Sequence, residues 1–242
     1  MEIDTIYNGD CLEILPLMNE KSIDIVVTSP PYNKMEGKNA GKLVDAVIYD
    51  SFRDNMSESE YEENQINVLQ ELHRVLKDDG SVFYNHKNRY FKERMVSPLE
   101  WLLKTDFEIR QEIIWNRKIA GNIRGWRFWQ VDEKIYWLQK KGANRIELTP
   151  QIASLSSVWE FPPQRKSETN HPCSFPIELV NRCLCVCEKK DAIILDPYMG
   201  SGTVAIAAKR KGFHYIGCEI SKKYIEIANK RIDEKTAQIS MF

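Results

Sequence analysis

Two short stretches carry residue types and spacings suited to chemistry. In Asp196–Thr203 (DPYMGSGT), Gly200 and Gly202 permit tight backbone approach and leave amide groups exposed ahead of a helix N-terminus. Such a turn invites a ligand carrying a carboxylate or a phosphate. Glu219, about 20 residues further on, closes the run HYIGCE, where an acidic residue can hold ribose hydroxyls. A nucleoside cofactor fits both features. The full G-x-G-x-x-G of dinucleotide sites and the G-x-x-x-x-G-K of nucleoside triphosphatases are both missing, so neither a dinucleotide nor ATP is the natural ligand.

The second stretch is Thr28–Asn33 (TSPPYN). Pro30 and Pro31 stiffen the backbone into an extended ledge, leaving the Ser29 hydroxyl and the Tyr32 ring as functional groups. A serine oxygen and the Pro30 carbonyl can accept both protons of an amino group, while an aromatic ring stacks on a flat heterocycle. Taken separately, the two stretches read as a glycine turn opening a helix and a proline-stiffened strand exit. Their coincidence favours a binding site.

Both stretches follow apolar runs that read as buried strands, Ile23–Thr28 and Ala192–Leu195, with Ser81–Asn85 and His214–Glu219 of the same kind. Helical patterns cover Glu58–Leu76, Pro176–Cys187, Gly202–Lys211 and Lys222–Ile232, the last capped by Ser221. Strands alternating with helices predict an α/β fold with a mostly parallel, doubly wound sheet. Phe107–Asn116 and Asp132–Leu138 read as longer strands near one edge, which is expected to be antiparallel. In such sheets ligands bind beyond the carboxyl ends of the strands, where both loops fall.

A chain of 242 residues, 43% of them hydrophobic, suits one α/β domain over residues 1–242 better than two. The sequence shows neither an apolar run of membrane-spanning length nor a signal-peptide pattern, so a cytoplasmic protein is expected, with no membrane partner. Six cysteines in apolar contexts are expected as reduced thiols. Cys183, Cys185 and Cys187 alternate within one apolar helical run and cannot converge on one ion, so no metal is expected. Formal net charge is −1, so a polyanionic partner must meet a local basic face.

The combination of motifs resembles the DNA amino-methyltransferases of the permuted, beta-type order, in which the catalytic motif precedes the cofactor motif. TSPPYN is similar to their catalytic element, DPYMGSGT to their methionine-end cofactor loop, HPCSFP (171–176) to the cofactor motif before it, and NGDCL (8–12) to their adenine-ring element. The resemblance implies a single methyltransferase domain with a Rossmann-like fold, S-adenosyl-L-methionine as cofactor, and a prokaryotic, DNA-associated protein. It assigns cofactor contacts to Asp10, Cys11, His171, Phe175, Pro176, Asp196, Pro197, Tyr198, Gly200, Ser201, Gly202, Thr203 and Glu219. Catalysis falls to Ser29, Pro30, Pro31 and Tyr32, acting on the exocyclic amino group of a base flipped out of double-stranded DNA. Cytosine N4 is favoured over adenine N6, because Ser before Pro-Pro-Tyr is commoner among the cytosine enzymes. A companion restriction endonuclease and a homodimer are both compatible with it.

DNA contact is expected from Trp115–Trp129, where Arg117, Lys118, Arg124 and Arg127 are interleaved with aromatic rings, and from Lys34 in a basic stretch after the ledge. Residues 117–130 and 34–54 are the candidate DNA loops. Against this stand packing of the tryptophans on the sheet edge and solvation of the charges. A covalent route through Cys173 is disfavoured because no partner for the thiol is evident. Two further readings compete: a non-catalytic DNA-binding module with the same fold, and methylation of RNA or of a protein glutamine. Motif order weakens the latter.

Overall fold

The structure is a computed structural model that describes residues 1–33, 56–120, 123–144, 146–164 and 175–237. Lys34, the loop 34–54, His171 and Cys173 lie outside the described residues. Strands are β1 (Thr5–Asn8), β2 (Ile23–Thr28), β3 (Leu76–His86), β4 (Arg89–Phe91), β5 (Arg94–Val96), β6 (Phe107–Asn116), β7 (Asp132–Lys140), β8 (Val158–Glu160), β9 (Ile193–Asp196) and β10 (His214–Glu219). Helices are α1 (Cys11–Ile14), α2 (Glu58–Val75), α3 (Leu99–Leu102), α4 (Pro150–Ala153), α5 (Ile177–Leu184), α6 (Thr203–Arg210) and α7 (Lys222–Thr236).

Eight strands form one sheet in the order β1-β10-β9-β2-β3-β7-β6-β8, while β4 and β5 pair as a separate hairpin. Only β7 runs against the rest: it is antiparallel to both β3 and β6, whereas β1, β10, β9, β2 and β3 pair in parallel. The expected antiparallel region is therefore present. It ends in β8, a short strand parallel to β6 that the sequence pattern does not announce. The strand expected at Ser81–Asn85 is longer at both ends, and the helix expected over Pro176–Cys187 closes at Leu184, with Cys185 as its C-cap.

Strand alternation sorts side chains into two cores. Val26, Val82, Tyr84, Tyr136, Leu138, Leu195, Ile216 and Cys218 face α1, α2 and α3. Their neighbours Ile25, Val27, Phe83, Ile135, Trp137, Ile194 and Tyr215 face α5, α6 and α7. Covering both faces explains the continuous apolar runs of the central strands, since a parallel sheet has no solvated side. Helix α2 begins at a capping box in which the Ser57 hydroxyl accepts from the Glu60 amide and the Glu60 carboxylate from the Ser57 amide.

At the lower edge the buried Asp24 carboxylate accepts from Lys77 (2.7 Å), Lys189 (3.1 Å) and the Ile193 amide (3.0 Å), fastening β2 to β9. Burial pushes this carboxyl up, but the three donors outweigh it and hold it below its ordinary range.

Gly217 on β10 is required by close packing: a Cβ there would lie 2.5 Å from the Met199 Cε. Met199 belongs to the glycine-rich loop, and its amide donates to the Cys218 carbonyl at 2.9 Å. Gly217→Ala is expected to cost about 1–3 kcal/mol through overpacking, and to displace the loop. Denaturant unfolding checks it; an unchanged midpoint would mean that Met199 moves aside freely.

Candidate active site

The order in which successive parallel strands are laid down reverses between β2 and β9, which themselves run parallel. From β2 the next parallel strand is β3 on one side; from β9 it is β10 on the other, which opens a crevice at their carboxyl ends. The two expected loops leave the sheet at this crevice. Thr28, the last residue of β2, donates its hydroxyl to Asp196, the last of β9, at 3.0 Å, and the same carboxylate oxygen accepts the Tyr198 amide at 3.0 Å. Asp196 is only 2% exposed. Burial pushes its carboxyl up to about 7; the charge of Glu219 adds to that, and the Tyr198 amide and Thr28 hydroxyl oppose it.

The loop after Asp196 is folded tightly. Pro197, Gly200, Ser201, Gly202 and Thr203 are buried and Tyr198 half-buried. Gly200 (φ 53°) and Gly202 (φ 81°) occupy the left-handed region, and Gly202 is pressed against Ala228 of α7. Arg231 of α7 donates to the Ser201 carbonyl. Glu219 accepts the Gly200 amide at 2.8 Å and the Ser221 amide at 2.9 Å. Burial raises its carboxyl, against the pull of those amides. With two bonds made, a carboxylate keeps acceptor sites for further donors.

Beside Glu219, the Gly9 amide and the Asn8 side chain bind the strand-end carbonyls, bringing Asp10 and Cys11 alongside. Asp10 caps α1 by accepting from Leu12. Cys11 is buried, which pushes its thiol up to about 12, with a Tyr198 hydrogen bond opposing. The Thr203 hydroxyl is buried without a partner among the described residues. A nucleoside with an amino-acid tail suits this donor set: an orphaned hydroxyl beside a glycine turn, and a carboxylate one strand away. Phe175 is buried in the same core as Met199 of the loop, and Pro176 is the N-cap residue of α5.

The ledge is held from behind. The Tyr61 hydroxyl of α2 lies 2.6 Å from the Pro31 carbonyl and 2.8 Å from His86 Nε2. His86 Nδ1 donates to the Lys87 carbonyl at 2.7 Å, so Nε2 is an acceptor and the single Tyr61 proton serves either Nε2 or the Pro31 carbonyl. Burial holds this imidazole down to about 3, with the Lys87 carbonyl opposing and Arg89 and Lys87 adding to the effect, so it is neutral. Tyr32 packs against His86 with ring centroids 4.6 Å apart, and Lys87 Nζ sits 5.1 Å from the Tyr32 centroid. Its hydroxyl meets Ser29 Oγ (2.9 Å), Asn85 Oδ1 (3.0 Å) and Glu133 Oε2 (2.9 Å). Thr28, Tyr61, Asn85, His86 and Glu133 are additions to the residues expected from sequence. A strand-end position could have flagged Asn85, but nothing local flags Glu133.

The expected DNA stretch divides. Trp115 is buried and donates to the Phe161 carbonyl at 2.9 Å, so it packs the sheet edge and does not face outward. Arg117, expected at phosphates, instead turns inward to Glu133 at 3.1 Å, because a buried carboxylate requires a partner. Lys118 is exposed and pairs with Glu160 at 3.1 Å; Arg124 is exposed. Arg127 stacks 4.3 Å from the centroid of Tyr90, whose ring meets Trp126 edge-on at 5.5 Å. Phe128 and Trp129 are 98% and 65% exposed. The Gln130 amide donates to the Asn88 carbonyl at 3.1 Å, tying this loop to the segment that follows β3.

A doubly wound sheet with a glycine turn at one strand end, an acidic residue at the next and a Ser-Pro-Pro-Tyr ledge across the switch point defines a methyltransferase of the S-adenosylmethionine-dependent class. The family profile described as DNA methylase, for N6 and N4 methyltransferases, matches residues 23–230, and the chain belongs to that family. It is therefore a DNA methyltransferase of the N4/N6 type, acting on DNA with S-adenosyl-L-methionine as methyl donor. Relatives include the type II methyltransferase M.BglII of Bacillus subtilis, 30% identical over 93% of this chain and 68% of that protein. M.ScaI of Streptomyces caespitosus is 28% identical over 97% of this chain and 83% of that protein. Among solved structures, the cytosine-N4-specific PvuII DNA methyltransferase superposes with a TM-score of 0.74 at 20% identity, covering 97% of this chain and 92% of that one. A DNA modification methylase of Thermus thermophilus, solved with S-adenosyl-L-methionine, gives 0.70 at 23% identity, covering 96% and 95%. At these identities the structural matches speak for the fold.

Asp196 gives a pH test. A carboxyl whose native pKa is raised contributes stability that is full below its unfolded value near 4 and lost as pH rises through about 7. Asp196→Asn keeps an oxygen for both Thr28 and Tyr198 but cannot ionise. Its melting temperature relative to the unsubstituted protein should therefore climb between about pH 4 and about pH 7, by an amount worth a few kcal/mol. Melts in which the two proteins keep a constant difference across that range would refute the assignment.

Proposed function

We propose that this DNA methyltransferase modifies N4 of cytosine in double-stranded DNA, on a base flipped onto the Ser29–Tyr32 ledge. The observation that carries the reading is the Thr28–Asp196 hydrogen bond, which holds the base ledge and the cofactor loop one residue from their point of contact. Ser29, in place of an acidic residue before Pro-Pro-Tyr, favours cytosine by the family association. Residues 1–242 are taken as one methyltransferase domain in the cytoplasm, with DNA contacts from 34–54 and 117–130.

When bound, S-adenosylmethionine supplies an electrophilic methyl: the amino nitrogen's lone pair forms the new N–C bond, the C–S pair leaves with sulfur, and the nitrogen sheds one proton. The chain's residues do the rest. Gly200–Thr203, with the Thr203 hydroxyl, take the amino-acid end, and Asp196, Pro197 and Tyr198 keep that turn in shape. Phe175, Pro176 and His171 close the same end. Glu219 takes the ribose hydroxyls, and Asp10 and Cys11 border the adenine. Alignment and exclusion of water supply most of the acceleration.

An exocyclic amine is a poor nucleophile because its lone pair is delocalised into the ring. Hydrogen bonds from its two protons to Ser29 Oγ and the Pro30 carbonyl favour a pyramidal, reactive nitrogen. The proton that the nitrogen sheds is lost to solvent as the methylated base leaves the pocket. Tyr32 stacks on the base, and flipping costs a few kcal/mol recovered in those contacts.

Methylated DNA, digested and separated by mass spectrometry, should contain N4-methylcytosine. N6-methyladenine as sole product refutes the cytosine assignment, and 5-methylcytosine overturns the mechanism. Tyr32→Ala should lose methyl transfer by about a hundredfold while cofactor affinity is kept; near-normal transfer would reduce Tyr32 to packing. Replacing Arg124 and Arg127 together should weaken DNA binding and lower the slope of log affinity against log salt by about one to two. An unchanged slope would move the DNA face elsewhere.

A further inference from the structure

We propose that Glu133, acting through the Tyr32 hydroxyl, is a positioning residue that fixes the polarity of Ser29, so that Ser29 presents only lone pairs to the base. This rests on the reading that Ser29 Oγ accepts an amino proton.

Counting protons fixes the direction of each bond. The Tyr32 oxygen has three partners among those described: Ser29 Oγ at 2.9 Å, Asn85 Oδ1 at 3.0 Å and Glu133 Oε2 at 2.9 Å. Asn85 is oriented by its own amide nitrogen, which donates to the Lys134 carbonyl at 3.0 Å, so the atom facing Tyr32 is an oxygen. A carboxylate oxygen and an amide oxygen only accept. The single phenolic proton therefore goes inward to one of these two. A hydroxyl that has given its proton away can face Ser29 only as an acceptor, so Ser29 is the donor. Its proton is committed to Tyr32, and its lone pairs are left for the pocket.

The opposite arrangement, with Tyr32 donating to Ser29, would point two acceptor-only oxygens at phenolic lone pairs in a buried place. Glu133 is 6% exposed, so water does not relieve that repulsion.

Polarity matters because the incoming group is itself a donor. A serine hydroxyl free to rotate would spend part of its time aiming its proton at an amino N–H, where no bond forms. The chain of hydrogen bonds also polarises Ser29: the carboxylate draws the phenolic proton, the phenol becomes a better acceptor, and the serine oxygen gains electron density. Arg117, 3.1 Å from Glu133 Oε1, occupies the other carboxylate oxygen and leaves Oε2 for Tyr32. The His86 ring against Tyr32 restrains the phenol from swinging away. Asn85 holds the same side, so Glu133 is the charged member of an acceptor pair.

Single-turnover methyl transfer, cofactor affinity and DNA affinity are to be measured for Glu133→Gln, Tyr32→Phe, their combination, and Ser29→Ala. Both single variants should slow transfer on the order of tenfold, with both affinities held within about twofold. The double variant should be no slower than Tyr32→Phe alone, because both changes break one chain. A merely structural Glu133 would instead lower affinities in step with rate, or its cost would multiply with that of Tyr32→Phe; either result overturns the proposal. Should Glu133→Gln fail to fold, Tyr32→Phe decides, because it removes one oxygen and keeps the ring: an unchanged transfer rate overturns the relay. Ser29→Ala separates the two levels. If it transfers normally, the reading of Ser29 itself fails; if it is slow while Glu133→Gln and Tyr32→Phe are both fast, only the relay fails.

Discussion

The architecture depends on the pairing of β2 with β9. These strands are 168 residues apart where Thr28 meets Asp196, yet their side-by-side register sets the switch point and with it the crevice. Two contacts lock that register at opposite ends. Asp24 binds Lys77, Lys189 and the Ile193 amide below, and Asp196 binds the Thr28 hydroxyl above. The two carboxylates are buried in opposite electrostatic settings. Asp24 is met by two lysines and held below its ordinary range; among the described residues Asp196 accepts from two neutral donors, with the like charge of Glu219 nearby, and is pushed towards its protonated form. The lower contact serves stability. The upper one places a group of marginal charge beside the cofactor loop, where a cationic ligand group would favour its ionised form.

Behind the ledge lies a second constraint, the need to satisfy polar groups in an aromatic interior. Tyr61, His86, Tyr84 and Trp101 pack ring against ring, and the Tyr84 hydroxyl donates to Gln65 at 2.8 Å and accepts from the Trp101 indole at 3.2 Å. Tyr61 then spans the gap to the Pro31 carbonyl. The rings restrain one another by packing. An apolar filling of the same volume would support the ledge by contact alone, and Pro31 would have no directional restraint. A hydrogen bond to the Pro31 carbonyl gives the ledge a directional restraint, which suits a site that must hold an amino group in line with a methyl donor.

The sequence makes much of this legible where function and local pattern coincide. The ends of β2 and β10 match the apolar runs, the glycines of DPYMGSGT occupy left-handed positions, and Ser221 caps α7 as its spacing implies. What is not legible depends on register between distant strands. Glu133 reads as one more charged residue in an alternating strand; only the pairing of His86 with Lys134 and Asn85 with Ile135 brings it to Tyr32. Trp115 and Arg117 depart from expectation for the same reason. Interleaved aromatic and basic residues look alike whether they face solvent or core, and the pleat of β6 decides which. The edge strands β1 and β8, of four and three residues, are too short to show a period.

The inward turn of Arg117 joins two regions that look separate in the sequence. Its guanidinium binds Glu133 through one nitrogen and the Gln130 carbonyl through another, at 3.3 Å, while its amide donates to the Val131 carbonyl at 2.8 Å. One side chain thus closes the base of the loop that carries Trp126, Phe128 and Trp129 and also engages the carboxylate behind Tyr32. In a nearly neutral chain diffuse positive charge offers a duplex little, whereas the exposed rings of this loop and the stacked Arg127 are groups on which bases could stack. The same arginine ties the base of that loop to the carboxylate behind Tyr32, so a change at Arg117 would disturb both.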